Sequence, residues 1–132
     1  MGCSFEFDPV NNILRYCWDG KLTDKTLLEG DAAARRLLAG RPSCRGILDF
    51  SRIVTIDASS ETVRRLAFQP PAYGFGQAVV LVAPKDVAYG LSRMFAMLGE
   101  TKRPRMHVVR TMEEAYRLLG IDSPQFNPIS DP

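Results

Sequence analysis

The residues with most chemistry to offer sit close together, as Asp57-Ala58-Ser59-Ser60 followed one helical turn later by Arg64. A carboxylate, two hydroxyls and a guanidinium at this spacing can cap a helix or hold a phosphate. Ser59 can accept from backbone N–H groups two or three residues on, the usual role of serine at a helix start. A phosphate on Ser59 or Ser60 would lie where free N–H groups and the helix dipole favour negative charge by about 0.3–1 kcal/mol. Asp57 would oppose it, whereas Arg64, one turn beyond Ser60, could pair with it. The plain reading stands beside this one: Ser59 is a cap and Arg64 a solvated charge.

The flanking residues say what positions this stretch. Ile47, Leu48, Phe50, Ile53, Val54 and Ile56 form a nearly continuous apolar run, the pattern of a central strand covered on both faces. After the polar turn, Val63, Leu66 and Ala67 recur at helical spacing while Glu61, Arg64 and Arg65 point elsewhere. The turn therefore joins the carboxyl end of a buried strand to the positive end of a helix, where α/β proteins place their sites.

The remaining elements follow the same alternation. Ser4–Phe7 and Ile13–Trp18, joined by turn residues Asp8 to Asn12, predict an antiparallel hairpin at a sheet edge, closed by Asp19-Gly20. Thr23 can cap a helix whose inward stripe is Leu27, Gly30, Ala34 and Leu37 or Leu38, with Gly40 and Pro42 ending it. Gly30 costs such a helix about 1 kcal/mol against alanine, so a close approach to the sheet is expected there. Pro70 to Gly76 is a stiff, then loose, aromatic-rich connection, read as a plain loop or a ligand flap. Ala78–Ala83 is a buried strand, and Pro84 to Asp86 leads into a helix over Val87–Leu98. Met106–Arg110 is the last strand, and Thr111 to Glu114 fits a capping box opening a helix that ends near Leu119-Gly120.

This order predicts an α/β fold in one domain, residues 1–120, with a C-terminal tail over 121–132. The sheet should be mixed and mostly parallel, of about five strands with the N-terminal hairpin, accompanied by about four helices. The turns at Leu22 to Asp24, Asp57 to Ser60, Pro84 to Asp86 and Arg110 to Thr111 should then share one rim.

Composition limits the function. With 132 residues, 45% hydrophobic and 24% charged, the chain can build one proper core. A net charge of +2, with both signs interleaved, does not point to nucleic acid. Cys3, Cys17 and Cys44 lack metal or redox spacing and fit a reduced, cytoplasmic chain. No apolar run is long enough to span a membrane. Glu6 stands where a myristoylation pattern needs Ser or Thr, so the start reads as ordinary. His107 is the sole histidine, with no nucleophile or paired carboxylate spaced to join it, so no catalytic residue, metal or cofactor is expected. The helix over Val87–Leu98 is apolar over much of its surface. Val87, Leu91, Met94 and Leu98 form one stripe, leaving Tyr89, Phe95 and Met97 either for a homodimer interface or for cover by the final helix and tail.

The element order, the turn Ile56 to Ser60, the run Val80 to Phe95 and the run Thr111 to Leu119 resemble the STAS domain family, the fold of bacterial anti-sigma factor antagonists. Its SpoIIAA-like branch is the nearer match, over roughly residues 5–120. In those antagonists the central strand ends in Asp-Ser-Ser-Gly, and a partner kinase phosphorylates the second Ser. Asp57 and Ser59 match that motif, while Ala58 and Ser60 depart from it. The resemblance implies a non-enzymatic regulatory domain that docks a protein partner, a kinase or an anti-sigma-like regulator, through Asp57 to Ser60 and Arg64. The alternative is a domain that captures a small anionic ligand or lipid head group at clustered helix N-termini. An open apolar cavity would favour the ligand, and a packed core with a flat rim the protein partner.

Overall fold

The computed structural model describes residues 3–130; Met1, Gly2 and the last two residues of the expected tail lie outside them. Alternating side chains place β1 (Cys3–Asp8) and β2 (Ile13–Thr23) in an antiparallel hairpin. Asn12 turns it with φ 58°, a left-handed conformation that asparagine tolerates. Then follow α1 (Asp24–Ala39), β3 (Arg45–Asp57), α2 (Ser60–Ala67), β4 (Val79–Val82), α3 (Asp86–Leu98), β5 (Met106–Val109), α4 (Met112–Leu119) and β6 (Asn127–Ile129). The sheet order is β5-β4-β3-β2-β1-β6. Strands β2 to β5 are mutually parallel, and β1 runs against both its neighbours. This is the mixed α/β sheet with an N-terminal hairpin that the alternation predicts.

Several features differ from the sequence reading. The segment read as a tail supplies β6, so the sheet has six strands and the hairpin is not its edge. Buried Asp8 fixes this segment: its carboxylate accepts N–H groups from Val10, Asn11 and Gln125 and from the Asn11 side chain, at 2.7–3.0 Å. Burial acts to raise the Asp8 pKa, but these four donors outweigh it and hold the carboxyl below its usual range. Strand β2 also runs on through Asp19 and Gly20, because two register shifts and a φ of 72° at Gly20 absorb what would otherwise end it. Finally, the rim is stepped. Val82 ends β4 opposite Asp49, whereas β3 continues beside β2 to Asp57. The turns at Thr23 and Ser59 thus share an upper step, and those at Lys85 and Thr111 a lower one. Cover on both faces of β3 holds through Phe50 and then gives way, with Val54 69% exposed.

Helices α1, α2 and α3 cover one face of the sheet and α4 the other. Gly30 of α1 lies against Trp18 of β2, where an added Cβ would stand 2.9 Å from the indole, the expected close approach. Trp18 in turn stacks on Phe50 at 4.8 Å and leans on Tyr16 at 4.8 Å. Helix α3 is rotated from its expected stripe. Ala88 and Ser92 are its buried residues, and Val87 faces outward at 62% exposure. Small side chains thus occupy the buried positions of the helix, an arrangement that a count of large apolar residues does not anticipate.

Candidate functional site

Two places carry the side chains a site would need. At the upper step, Thr23 caps α1 and Ser59 caps α2, its hydroxyl accepting from Thr62 N–H at 3.2 Å. Asp24, in the first turn of α1, accepts from Ser59 N–H at 2.7 Å and from the Ser59 hydroxyl at 2.9 Å. The Ser59 N–H bond is the main cause that holds the Asp24 carboxyl below its usual range. Ser59 is therefore occupied as donor and acceptor, and a phosphate on it would meet a second carboxylate. Ser60 is exposed, as are Arg64 and Asp57; Arg64 forms no ion pair among the described residues, while Asp57 lies 3.9 Å from Lys21. The structure thus keeps Asp57, Ser59, Ser60 and Arg64 on one step and adds Asp24, which its place on another helix hid in the sequence.

On α3 the three interface candidates separate. Tyr89 lies beneath the Arg110 guanidinium, 3.9 Å from its ring centre. Phe95 turns inward against Arg103 at 4.8 Å. Met97 is 68% exposed.

The second place is a cavity between the sheet and α1, α2 and α3. Its deep wall is aromatic and aliphatic: Tyr16, Trp18, Leu22, Phe50, Leu81 and Ala88. The side toward solvent is formed by the connection before β4, through Pro71, Ala72, Tyr73 and Gly74, together with Phe95 and Arg103. The void measures about 90 Å³. Ligand sites commonly offer about 300–1,000 Å³, so the present volume holds part of such a molecule unless the wall moves. Tyr73 is the buried element of that wall, its hydroxyl donating to the Leu14 carbonyl at 3.1 Å. Burial pushes the Tyr16 and Tyr73 phenols up, so both stay neutral.

Arg103 is the cation at this cavity. It donates to the carbonyls of Leu66, Ala67 and Gln69 at the end of α2, and it forms no ion pair among the described residues. Burial, and next the charge of Arg35, push its pKa down, outweighing the opposite pull of the Asp31 carboxylate, which also lines the cavity. The Pro70 to Gly76 connection was visible in the sequence as a loop or flap; Arg103 carried no such signal.

A third polar group is structural in character. Asp49, 1% exposed, accepts from Arg15 at 2.6 Å, from Ser51 and from the Cys17 thiol at 3.7 Å, while Arg15 also pairs with Glu6. Burial pushes the Cys17 thiol up to about 11, so it is protonated and not a nucleophile at neutral pH. Among the described residues no three His, Cys, Asp or Glu side chains gather as a metal site, and no helix is long and apolar enough to cross a membrane. No protein-family model matches the chain, and no curated protein matches it.

Proposed function

We propose that this chain is a non-enzymatic binding domain that holds a small, mainly apolar ligand in the cavity beneath Tyr73, with Arg103 receiving an anionic group of that ligand. The observation that carries this reading is an apolar void bordered by a guanidinium that makes no ion pair of its own, the one carboxylate of the lining, Asp31, being paired with Arg35. An apolar tail gains from leaving water, and an anion gains from a partly desolvated cation already positioned by three backbone carbonyls. Titration calorimetry with carboxylates from butanoate to octanoate tests it, beside the matching alcohols. The carboxylates should bind saturably and more tightly than the alcohols, and Arg103→Met should remove that difference. Absence of saturable binding to every member of the series would sink the reading.

A second reading is favoured by the exposed hydroxyl of Ser60 beside unpaired Arg64. In it the upper step, Asp57 to Ser60, docks a regulatory protein partner in the manner of the STAS-like antagonists, with phosphorylation falling on Ser60 because Asp24 occupies Ser59. Phosphopeptide mapping of the protein recovered from its native cells decides between the hydroxyls.

A further inference from the structure

The loops at the amino-terminal ends of the parallel strands hold features that neither reading uses. Phe75 is 74% exposed in the connection between α2 and β4, and Phe68, 55% exposed, stands at the start of that connection. The glycines flanking Phe75 both have left-handed backbones, φ 94° at Gly74 and φ 85° at Gly76. Val10, 69% exposed, occupies the neighbouring β1–β2 turn. These loops form one continuous end of the molecule. The Asn12 side chain donates to the Ser43 carbonyl at 3.1 Å, Ser43 lies against Gly74, and Arg105 reaches the Gly76 carbonyl at 3.4 Å.

Cations stand among the exposed apolar residues. Arg41 and Arg105 are exposed and Lys102 is half-buried, and none of the three forms an ion pair among the described residues. Glu100 and Asp122 are the exposed acids in the same loops. The opposite end carries more acids: Asp24, Asp57, Glu61, Asp86, Glu113 and Glu114 are interleaved there with Lys21, Lys25, Arg52, Arg64, Arg65, Lys85 and Arg110, several of them in ion pairs. Of the cavity's half-exposed lining residues, Pro71, Ala72, Gly74, Gln77, Arg103 and Met106 belong to the basic end, so part of the mouth opens there.

We propose that this end is a docking surface for a lipid bilayer that contains anionic lipid. Phe68 and Phe75 enter the boundary between head groups and acyl chains, while Arg41, Lys102 and Arg105 lie against the anionic head groups. Outward aromatic residues and unpaired cations on the same loops fit a surface that is apolar within and negative at its face. A nucleic acid would ask for a denser basic track than a chain of net charge +2 offers. Docking in this orientation turns that part of the cavity mouth toward the acyl chains.

Co-sedimentation with extruded vesicles tests the proposal independently of any cavity ligand. The protein should partition onto phosphatidylcholine–phosphatidylserine vesicles, not onto phosphatidylcholine alone, and added salt should weaken the association. One basic charge near an anionic surface is worth about fivefold in partitioning, so Arg41→Glu and Arg105→Glu should each cost at least about fivefold. Phe75→Ser should weaken binding, and Lys25→Glu at the opposite end should not. All four side chains are exposed, and an unchanged denaturation midpoint checks that each variant folds. Three results would overturn the docking surface: no association of the wild type with phosphatidylserine vesicles, equal losses from Lys25→Glu and Arg105→Glu, or retention on polyuridylate without vesicle binding.

Discussion

Gly46 and Tyr73 hold the cavity wall closed, and Gly46→Ala is the sharpest test of that arrangement. Gly46 lies in β3 between Leu14 and Val79, with the Tyr73 ring packed across it. A Cβ added there would stand 2.5 and 2.7 Å from two ring carbons and closer still to Cζ. The ring has no room to yield in place, because it is buried and anchored on the Leu14 carbonyl. Forcing it aside costs about 1–3 kcal/mol as overpacking. Losing the phenol's hydrogen bond adds about 0.5–1.5 kcal/mol. The smaller backbone entropy of an unfolded chain with alanine offsets about 0.5–1 kcal/mol. The net is a loss of about 2 kcal/mol, a shift of about 1 M in the urea midpoint for a domain of this size. The single tryptophan, Trp18, lies in the same cavity wall and reports the transition by fluorescence. In a Tyr73→Ala background the clash and the hydrogen bond are both gone, so Gly46→Ala should be neutral or slightly stabilising. Equal midpoint shifts in the two backgrounds would refute this account of the wall.

Three further outcomes are expected. Ser59→Ala should lower stability by about 0.5–2 kcal/mol through loss of the α2 cap, while Ser60→Ala leaves the urea midpoint in place. Asp8 and Asp49 both have carboxyls held below the ordinary 3.8, so their contribution is complete above that value and is lost as pH falls through their lower folded pKa values. Acid titration followed by circular dichroism should show that loss, and Asp8→Asn should flatten it. If α3 mediates a homodimer, as its exposed Met97 invites, Met97→Glu should dissociate it in sedimentation velocity, and a wild type that is monomeric at high micromolar concentration would remove the premise.

Much of the fold was legible because local chemistry and global arrangement agree. Thr23, Ser59 and Thr111 start helices as their side chains predict, and Gly30 marks the contact with Trp18. What the sequence hid depends on three-dimensional separation. Asp24 is 35 positions from Ser59, yet its carboxylate fixes that serine. Asn127–Ile129 shows no strand pattern of its own, since proline interrupts it, and it pairs because Asp8 clamps Gln125 beside β1. The cavity was least visible. A void is the space that Ala88 and Ser92 leave beside Trp18 and Tyr73, and no periodicity records the absence of atoms. Reasoning from the carboxyl ends of the strands also directs attention to Asp57, whereas part of the cavity mouth opens at the other end.

The unequal lengths of the strands have a consequence for how the molecule behaves in company. Past Asp49, β3 keeps a partner strand on one flank only, so the main chain from Phe50 to Asp57 presents an open edge. Such an edge is a template on which a strand from another copy can add and begin a fibre. The residues along it oppose that addition. The Lys85 amine sits on the Val54 carbonyl at 3.1 Å, Arg52 is exposed on the strand itself, and two register shifts against β2 break the regular ladder. Lys85 thereby takes up one of the outward hydrogen-bonding groups through which this edge would recruit a neighbouring strand.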